Sequence, residues 1–383
     1  MEDTILQERT QMIDQPKETV VPSARETEDA ILQERTDLIA QLKETVGPSG
    51  IGNGSPPLNI VFVGAPGCGK SSFINSFAAS VADECWREYA CSGRRGGGVT
   101  HQNTVRIQSV VATNYGTSPS VRDYSLPTLI DLTGFENQDE EITKEVLRLI
   151  FYGKLRNASN LNSVYRFGKT FGVWALRLWY GVLCTENHFK VDRVVIVASA
   201  NEEVPEGLFN GVMEVVRPTD DVYNREIPVF GVMTGIDVID ESHTEVFEER
   251  KINFMNSLAL VGAGHRFLQC VNYCDEVDPT RKRICQTLPH IDVPILKFMN
   301  VVCGRHYGVV NSEESYRDVL RLQLRHQIRC WVVNLCKRVA TSFTNSTRGP
   351  VVPANPPGVD MITILLCVFV CLLFCVVFSI VFL

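Results

Sequence analysis

A glycine-rich motif between an apolar run and a helix-forming stretch constrains the fold of this chain more than any other feature. Residues 58–64 (LNIVFVG) are continuously apolar and predict a buried strand, whereas residues 71–86 (SSFINSFAASVADECW) predict a helix. Between them, Gly64 to Ser71 match G-x-x-x-x-G-K-S, the phosphate-binding loop (P-loop), in the strand–loop–helix context that the motif requires. The alternative interpretation is an ordinary glycine turn.

The residue types of this loop suit an anion. Glycines let backbone N–H groups turn inward to form an anion nest, and the following helix directs its N-terminal dipole at the same place. Lys70 supplies a positive charge for the β- and γ-phosphates, and Ser71 supplies a hydroxyl ligand for Mg²⁺. We therefore predict that a nucleotide contacts Gly64, Gly67, Cys68, Gly69, Lys70, Ser71 and Ser72.

The rest of the chain alternates strands and helices, which indicates an α/β fold. The predicted strands after the first are 104–112, 126–132, 193–199, 227–233 and 266–271, and the clearest later helices are 205–217, 244–258 and 291–303. Such alternation is typical of a mostly parallel, doubly wound sheet covered on both faces. We therefore predict a P-loop NTPase of the G-domain class over residues 58–310, with an aromatic- and cation-rich insertion at 151–190 that either packs as a helix pair or faces a partner or membrane.

A second motif predicts how the metal and the γ-phosphate are held. The strand 126–132 runs into Asp131-Leu132-Thr133-Gly134, the D-x-x-G pattern in which the Asp holds Mg²⁺ through a water and the Gly amide senses the γ-phosphate. A switch threonine that binds Mg²⁺ only with the γ-phosphate present is expected upstream, with Thr100 preferred and Thr104 second. The metal site is thus predicted at Ser71, Thr100 and Asp131, and the catalytic groups at Lys70, Thr100 and Gly134. The alternative is a strand-end Asp beside a glycine turn.

A third motif predicts the base. Thr234-Gly235-Ile236-Asp237 follows the strand 227–233, where GTPases carry [NT]-K-x-D. The Asp237 carboxylate can accept two hydrogen bonds from the N1–H and N2–H₂ groups of guanine, a donor pair that adenine lacks. Gly235 replaces the usual Lys, whose stem covers the purine, so we expect weaker affinity with the preference for guanine retained. The alternative is a solvated acidic loop, because Asp240 and Glu241 lie close by.

The residue after D-x-x-G bears on the rate of hydrolysis. It is Phe135, and a phenyl ring cannot align an attacking water, so we predict slow GTP hydrolysis unless Glu136 or Asn137 takes that role or a partner supplies a polar group. The sequence assigns no arginine in cis to the phosphates, and Arg94 and Arg95 in the glycine-rich run are the nearby candidates. A slow GTPase switch is therefore preferred, and a nucleotide-binding scaffold with negligible hydrolysis is the alternative; an ATPase or kinase is disfavoured by Thr234 and Asp237.

The N-terminal region, residues 1–49, is an acidic duplication. Residues 2–23 recur at 28–49, with 16 of the 22 paired positions identical, and Pro16 interrupts the first copy. The segment is expected to be a partly helical or disordered tail, or alternatively a coiled-coil or docking segment. Homo-oligomerisation through this repeat or through the G domain is a further expectation, and a Gly/Pro/Ser linker at 50–57 follows.

The C-terminal region predicts a membrane anchor. Residues 311–343 predict an amphipathic helix with Arg317, Arg321, Arg325 and Arg329 along one side, and residues 344–360 predict a proline-rich linker. Residues 361–383 carry no charge and would span about 34 Å as a helix, enough for the hydrocarbon core of a bilayer. The sequence therefore predicts a single-pass, tail-anchored membrane protein with its G domain in the cytosol.

Net charge and cysteine content indicate which kind of ligand and which cellular compartment to expect. The net charge of −7 argues against a nucleic-acid-binding protein, which needs a dominant basic face. The thirteen cysteines show no paired or zinc-binding spacing, and the charged N-terminus is unlike a signal peptide, so a reduced cytosolic body is expected.

The chain resembles the interferon-induced protein 44/44-like family of G-domain proteins in the order of six short motifs. These are GKSSFIN, Val99-Thr100, IDLTG, DRVVIV, TGID and VNYCDEVDP. The resemblance covers residues 57–310 and is strongest at the P-loop and at Asn272-Tyr273. It implies GTP or GDP as ligand, Asn272 near the base, and a link to innate immune responses. Gly235 and the apolar C-terminus depart from the family, and the latter is more similar to membrane-bound immunity-associated GTPases.

Overall fold

The computed structural model describes residues 24–49, 56–82, 86–91, 106–132, 140–183, 189–218, 224–239, 244–273 and 287–324, with 326, 330 and 334 as isolated positions. The helices are α1 (Ala24–Val46), α2 (Lys70–Val81), α3 (Ala112–Tyr115), α4 (Glu140–Phe151), α5 (Leu161–Phe171), α6 (Val173–Leu176), α7 (Glu206–Val216), α8 (Thr244–Ser257), α9 (Pro289–Val302) and α10 (316–324). A π-helical segment, Arg177–Leu183, and two short 3₁₀ turns, Ile236–Val238 and Gly264–Arg266, complete the helical elements of these ranges.

Six strands form one mixed, mostly parallel sheet. They are β1 (Asn59–Val63), β2 (Gln108–Val110), β3 (Thr128–Asp131), β4 (Arg193–Ser199), β5 (Val229–Thr234) and β6 (Phe267–Cys270), in the order β2-β3-β1-β4-β5-β6. Only the edge strand β2 is antiparallel to its neighbour. The carboxyl ends of the parallel strands therefore lie along one edge of the sheet, where ligands bind in open α/β folds. This confirms the predicted α/β fold, which fits a P-loop G domain.

The central strand β1 shows why the sheet is covered on both faces. Val61 and Val63 belong to one apolar core, together with residues of α4, α5 and α7, whereas Ile60 and Phe62 belong to a second core with α2 and α9. All four side chains are fully buried. A strand with two buried faces reads as an uninterrupted apolar run, which is the pattern of residues 58–64.

The second copy of the N-terminal repeat is part of the domain. It forms α1, whose Ile39, Leu42 and Val46 are buried in the same core as α2 and α9. These positions are three and four residues apart and lie on one helix face together with the buried Arg35. The second copy is thus a packed helix rather than a tail set apart from the domain; the first copy, residues 1–23, and most of the predicted linker 50–57 lie outside the described residues.

The insertion and the C-terminal helix pack against each other. Residues 151–190 contain α5, α6 and the π-helical segment, and the buried Tyr316 of α10 lies against that segment. Across the parts of the chain that the structure describes, no helix combines the length and the apolar character that a membrane span needs. The predicted anchor 361–383, the linker 344–360 and most of 325–343 lie outside the described residues.

Candidate functional site

The loop between β1 and α2 contains two glycines with left-handed backbone angles, as an anion nest requires. Gly67 and Gly69 adopt φ angles of +79° and +91°, a region that favours glycine. A Cβ on Gly64 would lie 2.2 Å from the Val197 carbonyl oxygen, and one on Gly69 would lie 2.6 Å from Thr234 Oγ1. The glycines are thus required for two reasons: the left-handed backbone angles at Gly67 and Gly69, and the close approach of other atoms at Gly64 and Gly69.

Lys70 lies along the inside of this loop. Its Nζ donates to the carbonyl oxygens of Gly64, at 3.2 Å, and Ala65, at 2.8 Å, and it lies 3.7 Å from the Sγ of Cys68. The side chain is buried although it carries a charge. A buried cation whose hydrogen bonds within the described residues go to neutral carbonyls and a thiol is well placed to gain from an anionic phosphate, because that interaction is strengthened away from water.

Ser71 and Asp131 meet at the carboxyl edge of the sheet. The Ser71 hydroxyl donates to Asp131 Oδ2 at 2.6 Å, joining the start of α2 to the end of β3. Asp131 is fully buried, and its Oδ1 has no hydrogen-bond partner among the described residues. Burial raises the pKa of this carboxyl to about 6, although Ser71 and Lys70 act in the opposite direction. A buried carboxylate oxygen without a partner is suited to bind a metal-bound water.

The donor set fits Mg²⁺ bound with a nucleotide. Mg²⁺ takes one or two protein oxygens and otherwise waters and phosphate oxygens, and Ser71 and Asp131 supply those protein oxygens. In the described ranges, no group of three or more His, Cys, Asp or Glu side chains is arranged to hold a metal by itself. The third predicted ligand, Thr100, lies outside the described residues, as do Thr104 and Gly134.

The predicted base motif is tied to the P-loop. Thr234, at the end of β5, is buried and donates from Oγ1 to the Cys68 carbonyl oxygen at 2.8 Å. Gly235 follows with φ +73°, and its carbonyl oxygen accepts from Asn201 Nδ2 at 3.1 Å. Asp237 is exposed on the 3₁₀ turn Ile236–Val238. Thr234 thus braces the phosphate loop, while Asp237 remains available to a base.

Asn201 is a member of this site that the sequence did not predict. It lies just beyond β4, and no motif surrounds it. Because β4 pairs in parallel with β5, with Ser199 opposite Thr234, Asn201 falls beside the base motif. Only the strand register brings the two together.

The predicted base-proximal residue Asn272 lies at the same edge of the sheet. β6 is parallel to β5, with Cys270 opposite Thr234. Asn272 comes two residues after the end of β6, and it therefore lies at the same edge of the sheet as the base motif. Its Oδ1 is buried and has no partner among the described residues. The next residue fixes this loop to α2, because the Tyr273 backbone N–H donates to Ser76 Oγ at 3.0 Å, and Ser76 Oγ donates to the Ser72 carbonyl oxygen.

A buried polar network at the far end of α2 was also missed from the sequence. Arg35 donates from Nε to Asp292 Oδ2 at 2.7 Å, and from Nη2 to the carbonyl oxygens of Ser80 and Ala82 at 2.9 and 3.1 Å. The Tyr273 hydroxyl donates to Asp292 Oδ1 at 2.7 Å. We call Arg35, Asp292 and Tyr273 the Arg35 clamp. It joins the N-terminal helix, the end of α2, the loop after β6 and α9.

No family model matches the chain, and no curated protein matches it, so the resemblance to the interferon-induced 44 family stays a prediction. Among solved structures, similarity is found to Toc33 from Arabidopsis thaliana in complex with GDP and Mg²⁺, at 14% identity and TM-score 0.38, covering 73% of this chain and 95% of that one.

Two further structures are similar at lower identity. One concerns the chloroplast translocon components atToc33 and psToc159, for whose GTPase activity dimerization is important, at 12% identity and TM-score 0.38, covering 74% of this chain and 94% of that one. The other is the bacterial selenocysteine-specific elongation factor EF-Sec, at 9% identity and TM-score 0.28, covering 57% of this chain and 26% of that one. All three TM-scores are below 0.5, so these likenesses carry no argument about function.

Proposed function

We propose that this protein binds GTP and GDP with Mg²⁺ and acts as a slow GTPase switch. The observation that carries the proposal is the meeting of the P-loop, Lys70, Ser71 and Asp131 at one edge of the sheet, with the Ser71 hydroxyl 2.6 Å from Asp131. Residues from two strands and one helix converge there around an inward-facing loop. A glycine turn without a ligand needs neither a buried lysine nor a buried, half-satisfied carboxylate.

Each group has a separate task toward the phosphates. The P-loop amides and Lys70 receive the negative charge of the β- and γ-phosphates, and the dipole of α2 adds to that attraction. Ser71 offers its oxygen to the metal, while Asp131 orients a metal-bound water. When bound, Mg²⁺ neutralises charge on the phosphate oxygens. Thr234 holds Cys68 in place beneath the phosphates through its 2.8 Å hydrogen bond.

Guanine is the proposed base. The exposed Asp237 carboxylate follows β5 directly, and Asn201 fixes the backbone at Gly235. A carboxylate with both oxygens available accepts from the two adjacent donors of guanine, whereas adenine presents an acceptor at N1. Asn272, whose buried oxygen has no hydrogen-bond partner among the described residues, is proposed to border the same base pocket.

Nucleotide binding and base choice are tested on the full chain with fluorescent GDP. Lys70→Ala is expected to lose nucleotide binding, since the phosphates lose their main cation. Asp237→Asn is expected to shift preference from GTP toward xanthosine triphosphate, because an amide donates where the carboxylate accepted. Asp240→Asn is the matched control, because it removes an acidic side chain three residues further along the sequence. Unchanged GTP affinity in Asp237→Asn would show that the base assignment is wrong.

Slow turnover is tested by a single-turnover GTP assay on purified monomer. Phe135 supplies no group that aligns water, so the rate of GTP hydrolysis is expected to lie far below about 1 per second. Small GTPases exceed that rate only with the help of an activating protein. A rate near or above that value contradicts the slow-switch proposal. Complete absence of turnover at high protein concentration favours the scaffold instead.

We further propose that residues 361–383 anchor the protein in a membrane, with the G domain in the cytosol and a role in innate immunity. The uncharged 23-residue segment supports the anchor, and Lys337, Arg338 and Arg348 before it support the orientation. The immune role is supported by the sequence resemblance alone. Deleting 361–383 is expected to release the protein from membranes while nucleotide binding persists. Protease protection of the P-loop domain in intact vesicles would contradict the orientation.

A further inference from the structure

Four large apolar side chains of the insertion are exposed and close together. Phe171, Trp174, Leu178 and Trp179 are exposed to 64%, 47%, 47% and 54%. We call these four residues the aromatic face. The rings of Phe171 and Trp179 both pack beside Phe167, with centroid distances of 4.9 and 6.1 Å. Phe171 and Trp179 are thus joined through Phe167, and Trp174 and Leu178 lie between them in the sequence, four residues apart.

The insertion already has a complete inner side. Leu161, Val164 and Leu176 are buried in the core beneath α5 and α6. At Gly168, a Cβ would lie 2.6 Å from Leu176 Cδ1, so the two helices are in close contact there. The exposed rings therefore point away from a packed core and are not required to fill it. A Trp or Phe exposed to this extent is costly in water and indicates a surface that is covered in function.

The stretch of sequence that contains the aromatic face is basic, although Arg177 within it pairs with the buried Glu145. Residues 152–185 contain no Asp or Glu, although the whole chain has a net charge of −7. Arg156, Arg166 and Lys169 are exposed, and the Arg177 guanidinium lies 5.3 Å from the Trp174 ring centroid. Aromatic rings together with arginine and lysine suit a surface that is apolar inside and anionic at its border, which describes an anionic bilayer.

The position of the face agrees with that partner. The chain leaves the described fold through α10, which begins beside the π-helical segment Arg177–Leu183. A Cβ on Gly181 would lie 2.0 Å from Tyr316 Cε1, and both Tyr316 and Arg177 bond to the buried Glu145. Beyond α10, residues 325–360 lead to the uncharged segment 361–383. The start of α10, the last described helix before the proposed anchor, is thus adjacent to the segment that carries Leu178 and Trp179.

We propose that the aromatic face is a peripheral contact for an anionic membrane surface. Trp174, Trp179 and Phe171 enter the headgroup–acyl boundary, and the neighbouring arginines and lysine meet lipid phosphates. Such a contact would hold the G domain against the bilayer in one orientation, which a linker alone does not do. The inference rests on the proposed anchor 361–383 for its bilayer, and the experiment separates the two.

The test uses tryptophan quenching by lipids with brominated acyl chains. The full chain contains Trp86, Trp174, Trp179 and Trp331, so all measurements carry Trp331→Phe to remove the tryptophan nearest the anchor in sequence. This protein is added to vesicles of phosphatidylcholine with a minority of phosphatidylserine. Flotation of the vesicles reports the anchor, and loss of tryptophan emission reports the aromatic face. Bound fluorescent GDP reports that each variant is folded.

The expected result is loss of emission in brominated vesicles, larger with phosphatidylserine than with phosphatidylcholine alone. Trp174→Phe/Trp179→Phe should remove the quenchable emission, since the remaining Trp86 is buried in the core. Arg166→Glu/Lys169→Glu should reduce the quenching without changing flotation. Flotation without quenching would overturn the membrane contact of the aromatic face and leave the proposed anchor intact. If the protein neither floats with the vesicles nor shows quenching, both proposals are overturned. A dimer that Trp174→Phe/Trp179→Phe abolishes, with no quenching, would assign the face to a second copy of the chain.

Discussion

The two ends of helix α2 each adjoin a fully buried carboxylate, and the two carboxylates have different surroundings. Asp131 receives the Ser71 hydroxyl on one oxygen, and its other oxygen has no partner among the described residues. Asp292 is bonded on both oxygens, by Arg35 and by the Tyr273 hydroxyl. Burial raises the pKa of both groups, and at Asp292 this outweighs the opposing effects of Tyr273 and Arg35.

The difference separates a binding site from a structural element within one core. A buried carboxylate whose oxygens are all satisfied supports the packing around it, and removing its partner leaves an uncompensated charge. A buried carboxylate with an unsatisfied oxygen destabilises the fold unless something else binds there. We therefore expect changes at the Arg35 clamp to lower stability and leave the ligand site intact, and changes at Asp131 to do the reverse.

The largest effect is expected from Arg35→Ala. This change leaves Asp292 buried without its cation and removes the donors to Ser80 and Ala82, so the free energy of unfolding should fall by about 3–5 kcal/mol. Urea denaturation measures it. GDP affinity of the folded fraction should be unchanged, because Lys70 and Ser71 are not involved.

The duplicated sequence provides the matched control for Arg35. Arg9 occupies the equivalent position of the first copy in the sequence, and both oxygens of Asp292 already accept from Arg35 and Tyr273. Arg9→Ala should therefore change stability much less. Combining Asp292→Asn with Arg35→Ala should recover part of the lost free energy of unfolding, because no buried charge is then left without its partner. With the two single variants, the double-mutant cycle measures the coupling between Arg35 and Asp292. A loss below about 1 kcal/mol in Arg35→Ala would mean that the pair behaves as a solvent-exposed one.

Asp131→Asn is expected to raise the free energy of unfolding, the opposite of Arg35→Ala, and by a smaller amount. The rise in the Asp131 pKa from 3.8 to about 6 means that the folded state favours the protonated carboxyl. Its contribution to stability is therefore full below about pH 4 and is lost as pH rises to about 6, a change of about 3 kcal/mol. Asparagine removes this loss, so the variant without nucleotide should be more stable than the natural chain at pH 7.

The same substitution should weaken Mg²⁺-dependent nucleotide binding, since an amide orients a metal-bound water poorly. Subtracting the pH profile of Asp131→Asn from that of the natural chain isolates this carboxyl from other titrating groups. Saturating Mg²⁺ and GDP should abolish the stability difference at pH 7. Equal pH profiles of the two proteins would show that Asp131 is not buried in its charged form.

The smallest effect is expected at Gly235, where the usual lysine is absent. Its φ of +73° disfavours other residues, and a Cβ would lie 3.2 Å from Asn201 Nδ2. Gly235→Ala and Gly235→Lys should each lower the free energy of unfolding by about 1 kcal/mol. Only the lysine brings a stem over the purine, so it should bind GTP more tightly than the alanine variant by about 0.5–1 kcal/mol. Equal GTP affinity of the two variants would contradict a base stacked beside Gly235.

The sequence by itself determined the sheet and the phosphate loop. Residues 60–63 of β1 are buried on both faces and therefore appear as a continuous apolar run, and the loop after the strand needs glycines where the backbone is left-handed or closely approached. Both requirements are local, so they are written in adjacent residues. The motifs that contain Asp131 and Thr234 were found for the same reason, because each directly follows its own strand.

Tertiary structure alone decided which distant residues complete these motifs. Arg35 and Asp292 are separated by most of the chain, and a charged residue in a glutamate-rich helix gives no sign that it will be buried. Asn201 reaches Gly235 only through the register of β4 and β5. Partners of this kind depend on the packing of whole elements, and packing depends on contacts between residues far apart in sequence, which no local pattern records.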